Sequence, residues 1–165
     1  DGQITEADRY LTSYSPAPKY YFGFSNMLTY KDFDFGFNLR ANIGNYMFND
    51  FAGGNSTTSN FSNQGFLTNM VDVVNRTGFT RPSTPQQIKS DYFIENASFL
   101  RMDNITLGYN FDKMFSTRMK GRLAFSVQNA FVITKYSGLD PEGWGIDNNI
   151  WPRPRVYTLG LNLTF

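Results

Sequence analysis

The sequence predicts an all-β fold: five antiparallel strands of a transmembrane β-barrel with long extracellular loops. Three observations predict it. Apolar residues recur at every second position over long stretches, the residues between them are polar but almost uncharged, and the connections alternate between short and long. A strand presents successive side chains to opposite faces, so a period of two marks a sheet with two different surroundings.

Five stretches carry the alternation. Tyr20, Phe22, Phe24, Leu28 and Tyr30 share one face, with Asn26 as the exception. Phe33, Phe35, Phe37, Leu39, Ala41 and Ile43 follow against Asp34, Gly36, Asn38, Arg40 and Asn42. Ile105, Leu107, Tyr109 and Phe111 form the third row; Leu123, Phe125, Val127, Phe131 and Ile133 form the fourth, with Asn129 the exception. Tyr157, Leu159, Leu161, Leu163 and Phe165 form the fifth. Strands are expected near 20–30, 33–43, 98–111, 122–133 and 155–165, with odd-numbered residues of the last four facing lipid.

The opposite face separates a membrane barrel from a soluble one. Of its 22 residues only Asp34 and Arg40 are charged, whereas a solvated surface carries roughly 25–35% charged residues. Small polar residues suit a wide barrel lumen, a Phe/Leu face suits lipid, and Tyr20, Tyr30, Tyr109, Phe111, Tyr157 and Phe165 fall near strand ends, where aromatic girdles form.

The connections set the sidedness. Lys31-Asp32 is a two-residue turn and 112–121 a modest one, but 54 residues separate Ile43 from Ser98 and 21 separate Ile133 from Arg155. Outer-membrane barrels have short periplasmic turns and long extracellular loops, so 44–97 and 134–154 are expected outside and the C-terminus in the periplasm. Five strands cannot close a barrel, because an open edge in lipid leaves backbone groups unpaired. Further strands are therefore expected from elsewhere.

Composition excludes other chemistries. With no Cys and no His there is no disulfide framework, no thiol nucleophile, no Ser-His-Asp triad and no zinc site of the usual ligands. A net charge of +1 with scattered basic residues gives no footprint for nucleic acid. The start, Asp1-Gly2-Gln3-Ile4-Thr5-Glu6-Ala7-Asp8, reads either as the second half of a calcium loop or as a solvated acidic turn. In the first case Asp1 and Asp8 supply carboxylates and Gln3 a backbone carbonyl to the ion.

Two long segments, 91–111 (DYFIENASFLRMDNITLGYNF) and 136–142 (YSGLDPE), together with the ending 152–165 (PRPRVYTLGLNLTF), resemble the C-terminal part of SusC-like TonB-dependent outer-membrane transporters. The resemblance spans most of 91–165; the hairpin at 20–43 fits more loosely and 45–90 matches nothing. It implies the last five strands of a 22-stranded barrel, whose plug and earlier strands belong to other parts of the protein. It further implies a SusD-like surface lipoprotein as partner, energy relayed through TonB, import of oligosaccharides or peptides, and dimers of transporter-lipoprotein pairs. A structural or adhesive outer-membrane barrel segment and a barrel-embedded or soluble β enzyme are the competing readings.

Within the outer loop, Trp144 and Trp151 flank Asp147, Asn148 and Asn149. Sugars stack on aromatic faces while carboxylates and amides bind hydroxyls, so this set is the ligand-contact candidate; the competing role of both indoles is loop packing. Phe66, Met70, Val73 and Val74, followed by Gly78, predict a short amphipathic helix. Tyr46, Phe48 and Phe51 suit an outer vestibule or an upper girdle. Asp140, Glu142 and Asp147 have no spacing that argues for glycoside hydrolysis, and the reading is not an enzyme. The row Tyr157, Leu159, Leu161, Leu163 and Phe165 resembles the terminal-strand signal by which outer-membrane assembly machinery selects barrels. The six Asn-x-Ser/Thr triplets, at Asn55, Asn60, Asn75, Asn96, Asn104 and Asn162, reflect an Asn- and Thr-rich composition.

Overall fold

The computed structural model describes residues 6–54, 72, 90–112, 119–148 and 151–164. Its strands, in chain order, are β1 (Tyr20–Tyr30), β2 (Phe33–Ile43), β3 (Tyr46–Asn49), β4 (Ile94–Asn96), β5 (Phe99–Phe111), β6 (Lys120–Thr134), β7 (Ile146–Asp147) and β8 (Val156–Thr164). The chain divides into a strand unit (Lys19–Ile43, Ser98–Thr134, Arg153–Phe165) and a loop unit (Asp1–Pro18, Gly44–Ala97, Lys135–Pro152).

The strand unit is a five-stranded antiparallel sheet in the order β1-β2-β5-β6-β8. These are the five strands that the alternation predicts, and their ends fall within two residues of the expected ones. Lys31 takes φ 52° in the two-residue turn, a left-handed conformation whose twist matches that of the flanking strands. Register then aligns the apolar rows. Phe24 pairs with Leu39 and Leu28 with Phe35; Phe35 meets Leu107, Leu107 meets Phe125 and Phe125 meets Leu159. Rings contact across this face, with Phe33 and Tyr109 4.8 Å apart and Phe125 stacked on Tyr157 at 6.3 Å. The row is not folded into a core: Phe35, Leu107, Phe125 and Leu161 are all exposed, Leu161 by 57%. A water-soluble sheet would cover such a row, since soluble monomers rarely expose contiguous apolar patches of more than a few hundred Å².

One expectation is corrected. Odd numbering marks the apolar face of β5 only from Ile105 to Phe111, because the register shifts between Met102 and Asn104 against both neighbours. Beyond that bulge Leu100 and Met102 join the apolar row opposite Ala41 and Leu39, while Arg101 faces Arg40. An inserted residue reverses the faces of everything beyond it, and simple counting from Ile105 misses this. Asn129 sits at the same irregularity, at φ 51°, and its Nδ2 donates to the Pro154 carbonyl at 3.0 Å. The break in the fourth row is therefore a bulge, not a polar residue facing lipid. Asn26, opposite Phe37, keeps its place in the row, and nothing in the structure explains its amide there.

Two ion pairs hold charges of the polar face within the sheet. Arg40 donates through Nε and, at 2.9 Å, through Nη2 to Asp103. Arg122 of β6 reaches Asp34 of β2 at 2.6 Å and 3.2 Å, and Asn110 donates to the same carboxylate at 3.2 Å. This bridge passes over β5 at Gly108, where a Cβ would stand 2.4 Å from the Asp34 oxygens and 2.6 Å from Arg122. Gly108→Val is therefore expected to break the pair and lower the melting midpoint of the folded barrel by a few degrees on a heat-modifiable gel. Ala124→Val, one strand over, is the control. Equal midpoints for the two variants would remove the role assigned to Gly108.

The loop unit holds a three-stranded sheet, β4-β3-β7, with β3 antiparallel to β4 and parallel to β7. Met47, Ala97 and Tyr136 form its buried cluster. Residues 10–18 lie along it: Tyr46 N–H donates to the Ser15 carbonyl at 2.8 Å, Tyr14 packs on Tyr46 at 4.7 Å, and Tyr10 Oη donates to Asp91. A short helix α1 (Asp50–Gly54) follows β3, capped by Asn49 Oδ1, which accepts from Ala52 N–H at 3.0 Å. This sheet was not expected, because strands of two to four residues are too short for a period of two to register. Phe66, Met70, Val73 and Val74, which carry the predicted helix, lie outside the described residues.

Candidate functional site

Residues 135–148 are shaped around one carboxylate. Asp147, 1% exposed, accepts through Oδ2 from Tyr136 Oη at 3.0 Å, Leu139 N–H at 3.2 Å and Asp140 N–H at 3.4 Å. Gly138 permits the approach, since a Cβ there would stand 2.5 Å from the Tyr136 ring and 2.6 Å from Asp147 Oδ2. A second carboxylate ties the same segment to the small sheet. Glu95 of β4 accepts from Ser137 N–H at 2.9 Å, Ser137 Oγ at 2.6 Å and Asn49 Nδ2 at 3.1 Å. Asp140 closes a turn by accepting from Glu142 N–H at 3.1 Å.

Burial raises the Tyr136 pKa above its ordinary value, and the neighbouring Asp147 carboxylate raises it further. The sign follows from linkage. A folded-state pKa above the unfolded one contributes stability that is complete below the unfolded value, about 10 for Tyr, and is lost as pH rises beyond it. Amide protection of 136–147 is therefore expected to hold from neutral pH to about 9 and to fall above about 10. In Tyr136→Phe that alkaline fall should be absent; a fall of the same size in the variant would assign it to another group.

The anchored segment presents the candidate residues differently. Trp144 is 101% exposed, Trp151 80%, and Asn148 is also exposed. Asp147 points inward, and its carboxylate is occupied by the loop itself. Asn149, like Asp1, Gln3 and Phe165, lies outside the described residues; Asp8 is exposed at the end of a 3-10 turn, Glu6–Asp8. Trp144 borders an open groove of about 290 Å³ with Tyr14, Tyr46, Phe48, Ile94 and Ile146. Tyr46 and Phe48 thus belong to the small sheet, Phe48 meeting Phe93 edge-on at 6.4 Å, and Phe51 is exposed. The groove offers aromatic faces and few polar groups, a surface for stacking rather than for proton transfer. Sequence reasoning missed Tyr14 and Ile94 here, because each comes from a segment distant in the chain and carries no motif.

No family model matches the chain. It is 42% identical over its whole length to the TonB-dependent receptor SusC of Bacteroides thetaiotaomicron, of which it covers 17%. It is 29% identical, again over its whole length, to the TonB-dependent receptor P3 of Formosa agariphila, covering 18% of that protein. Among solved structures, the RagAB peptide transporter superposes on the whole chain with a TM-score of 0.75 at 22% identity, and the importer in its closed-closed state with 0.74 at 21%. Those two likenesses speak for the fold, and the chain covers 19% of each matched structure. The chain spans less than a fifth of the length of the relatives it matches. The exposed apolar face, the nearly uncharged opposite face and the match to SusC along the whole of this chain agree: the chain belongs to the SusC-like TonB-dependent receptors, as a C-terminal segment of their outer-membrane β-barrel.

Proposed function

We propose that the protein is an outer-membrane importer of oligosaccharides or peptides, working with a SusD-like surface lipoprotein and driven through TonB. The single observation that supports this most is the 42% identity to SusC across the entire chain. In this reading the loop unit faces outside, the C-terminus lies in the periplasm, and Trp144 with Trp151 contacts the solute or the lipoprotein. RagAB, a peptide importer, keeps peptides among the candidate solutes.

Import of labelled oligosaccharides and peptides by cells with and without the gene, and with and without TonB, tests the reading. Uptake that requires both is expected. Gene-dependent adhesion without gene-dependent uptake would sink it. In Trp144→Ala/Trp151→Ala, uptake is expected to fall severalfold with the assembled barrel undiminished, since each contact on an aromatic face is worth on the order of 0.5–1.5 kcal/mol. Unchanged uptake would leave the indoles to loop packing.

A further inference from the structure

The groove beside Trp144 has two walls that rest on one edge of one strand, and they are held very differently. Along the edge of β3 that faces β7, Phe48 N–H donates to the Gly145 carbonyl at 2.9 Å, while Tyr46 N–H, two residues earlier, donates to the Ser15 carbonyl at 2.8 Å. Residues 144–146 therefore form one wall of the groove and residues 14–16 the other. The walls meet at Gly145, at φ 88°, where a Cβ would stand 3.0 Å from the Cβ of Pro16.

The wall 144–146 runs into β7 and into the segment organised by Asp147 and Glu95, where each carboxylate accepts three hydrogen bonds. The wall 14–16 belongs to residues 10–18, and among the described residues these are tied to the rest of the loop unit by little: the Tyr46–Ser15 bond, the packing of Tyr14 on Tyr46 at 4.7 Å, and the bond from Tyr10 Oη to Asp91. Every residue from 6 to 17 is exposed, and Ser15 Oγ turns back on its own segment to accept from Ala17 N–H at 3.2 Å. Pro16 and Pro18 have no N–H to add to the edge, and their fixed φ stiffens this end of the segment. A stretch with exposed hydrogen bonds and no buried side chain opens at low cost, and such openings occur in contiguous units. We propose that residues 10–18 form a releasable strap, which detaches from the small sheet as one unit, opens the groove on its side and bares the β3 edge at Tyr46, while 144–146 stay in place. The strap is a gate on the groove, and the indole of Trp144 stands on the wall that does not move. Opening depends on neither solute nor lipoprotein.

Hydrogen exchange on the full-length protein in lipid nanodiscs, resolved to single amides, reads the two walls from neighbouring donors of one strand. After correction for intrinsic rates, the Tyr46 amide is expected to exchange at least about tenfold faster than the Phe48 amide, the gap between a unit that opens locally and one that is held. Fraying of β3 from its first residue would give the same order, so a second measurement separates the two. Tyr10→Phe removes the bond to Asp91 and touches nothing at Tyr46. If 10–18 releases as a unit, the variant speeds exchange at Tyr46 about two- to tenfold, the loss of one net hydrogen bond, and leaves Phe48 unchanged. Unchanged exchange at Tyr46 in the variant would overturn the proposal, because the segment would then fray piecemeal. Equal acceleration at Tyr46 and Phe48 would overturn it as well, because both walls would open together. So would a wild-type Tyr46 amide as slow as that of Phe48, the mark of a fixed wall.

Discussion

Deletion of Phe165 is expected to cut the amount of assembled barrel far more than it cuts transport per assembled barrel. Strand β8 pairs with β6 along one edge, from Lys120 opposite Thr164 to Gln128 opposite Val156, and among the described residues no strand pairs with its other edge. An apolar strand with a free edge is a template for backbone pairing, with alternate side chains giving specificity. Tyr157, Leu159, Leu161 and Leu163 supply that alternation, and all four are exposed. Surface labelling and heat-modifiable mobility report assembly, and solute uptake divided by assembled barrel reports function. Normal surface levels in the deletion variant would reject the assembly role and leave Phe165 as an interfacial anchor.

The second large effect is expected at Asp147. Asp147→Leu removes the acceptor for one hydroxyl and two backbone N–H groups in a buried place. Each orphaned donor costs about 1–3 kcal/mol, so the loss is comparable to the whole stability of a small cooperative unit, about 5 kcal/mol at the low end. Residues 135–148 are expected to lose hydrogen-exchange protection and to become protease-sensitive, while β5 and β6 remain protected. Asp147→Asn keeps an acceptor oxygen and should lie between the two. Protection unchanged in Asp147→Leu would contradict the arrangement around this carboxylate.

These two sites show where the sequence was legible. Alternation placed β1 and β2 to the residue, since a two-residue turn and an unbroken period of two leave no freedom in register. The polar face was legible as nearly uncharged, but the bridge that joins Asp34 to Arg122 over Gly108 was not, because it links three strands whose order no local pattern states. The bulge at Met102–Asn104 was hidden for a similar reason: an extra residue announces itself only against its partner strands. In the loop unit the aromatic side chains were legible and their grouping was not. Asp147 stood between two tryptophans as a binding candidate, yet its carboxylate organises the loop, and the exposed indole of Trp144 is what the loop presents. Glu95, absent from the candidate set, binds Ser137 from 42 residues away in sequence.

The central claim is that the strand unit crosses a membrane with its apolar row toward lipid. The chain contains no cysteine, so single cysteines at positions 157–163 of β8, in the full-length protein cleared of any others and reconstituted in bilayers, can carry spin labels one at a time. Relaxation by oxygen, which concentrates in lipid, and by a water-soluble nickel complex measures each position. The account predicts strict alternation: oxygen dominates at 157, 159, 161 and 163, and the nickel complex at 158, 160 and 162. Alternation of the opposite phase, or uniform accessibility to the nickel complex, would contradict it.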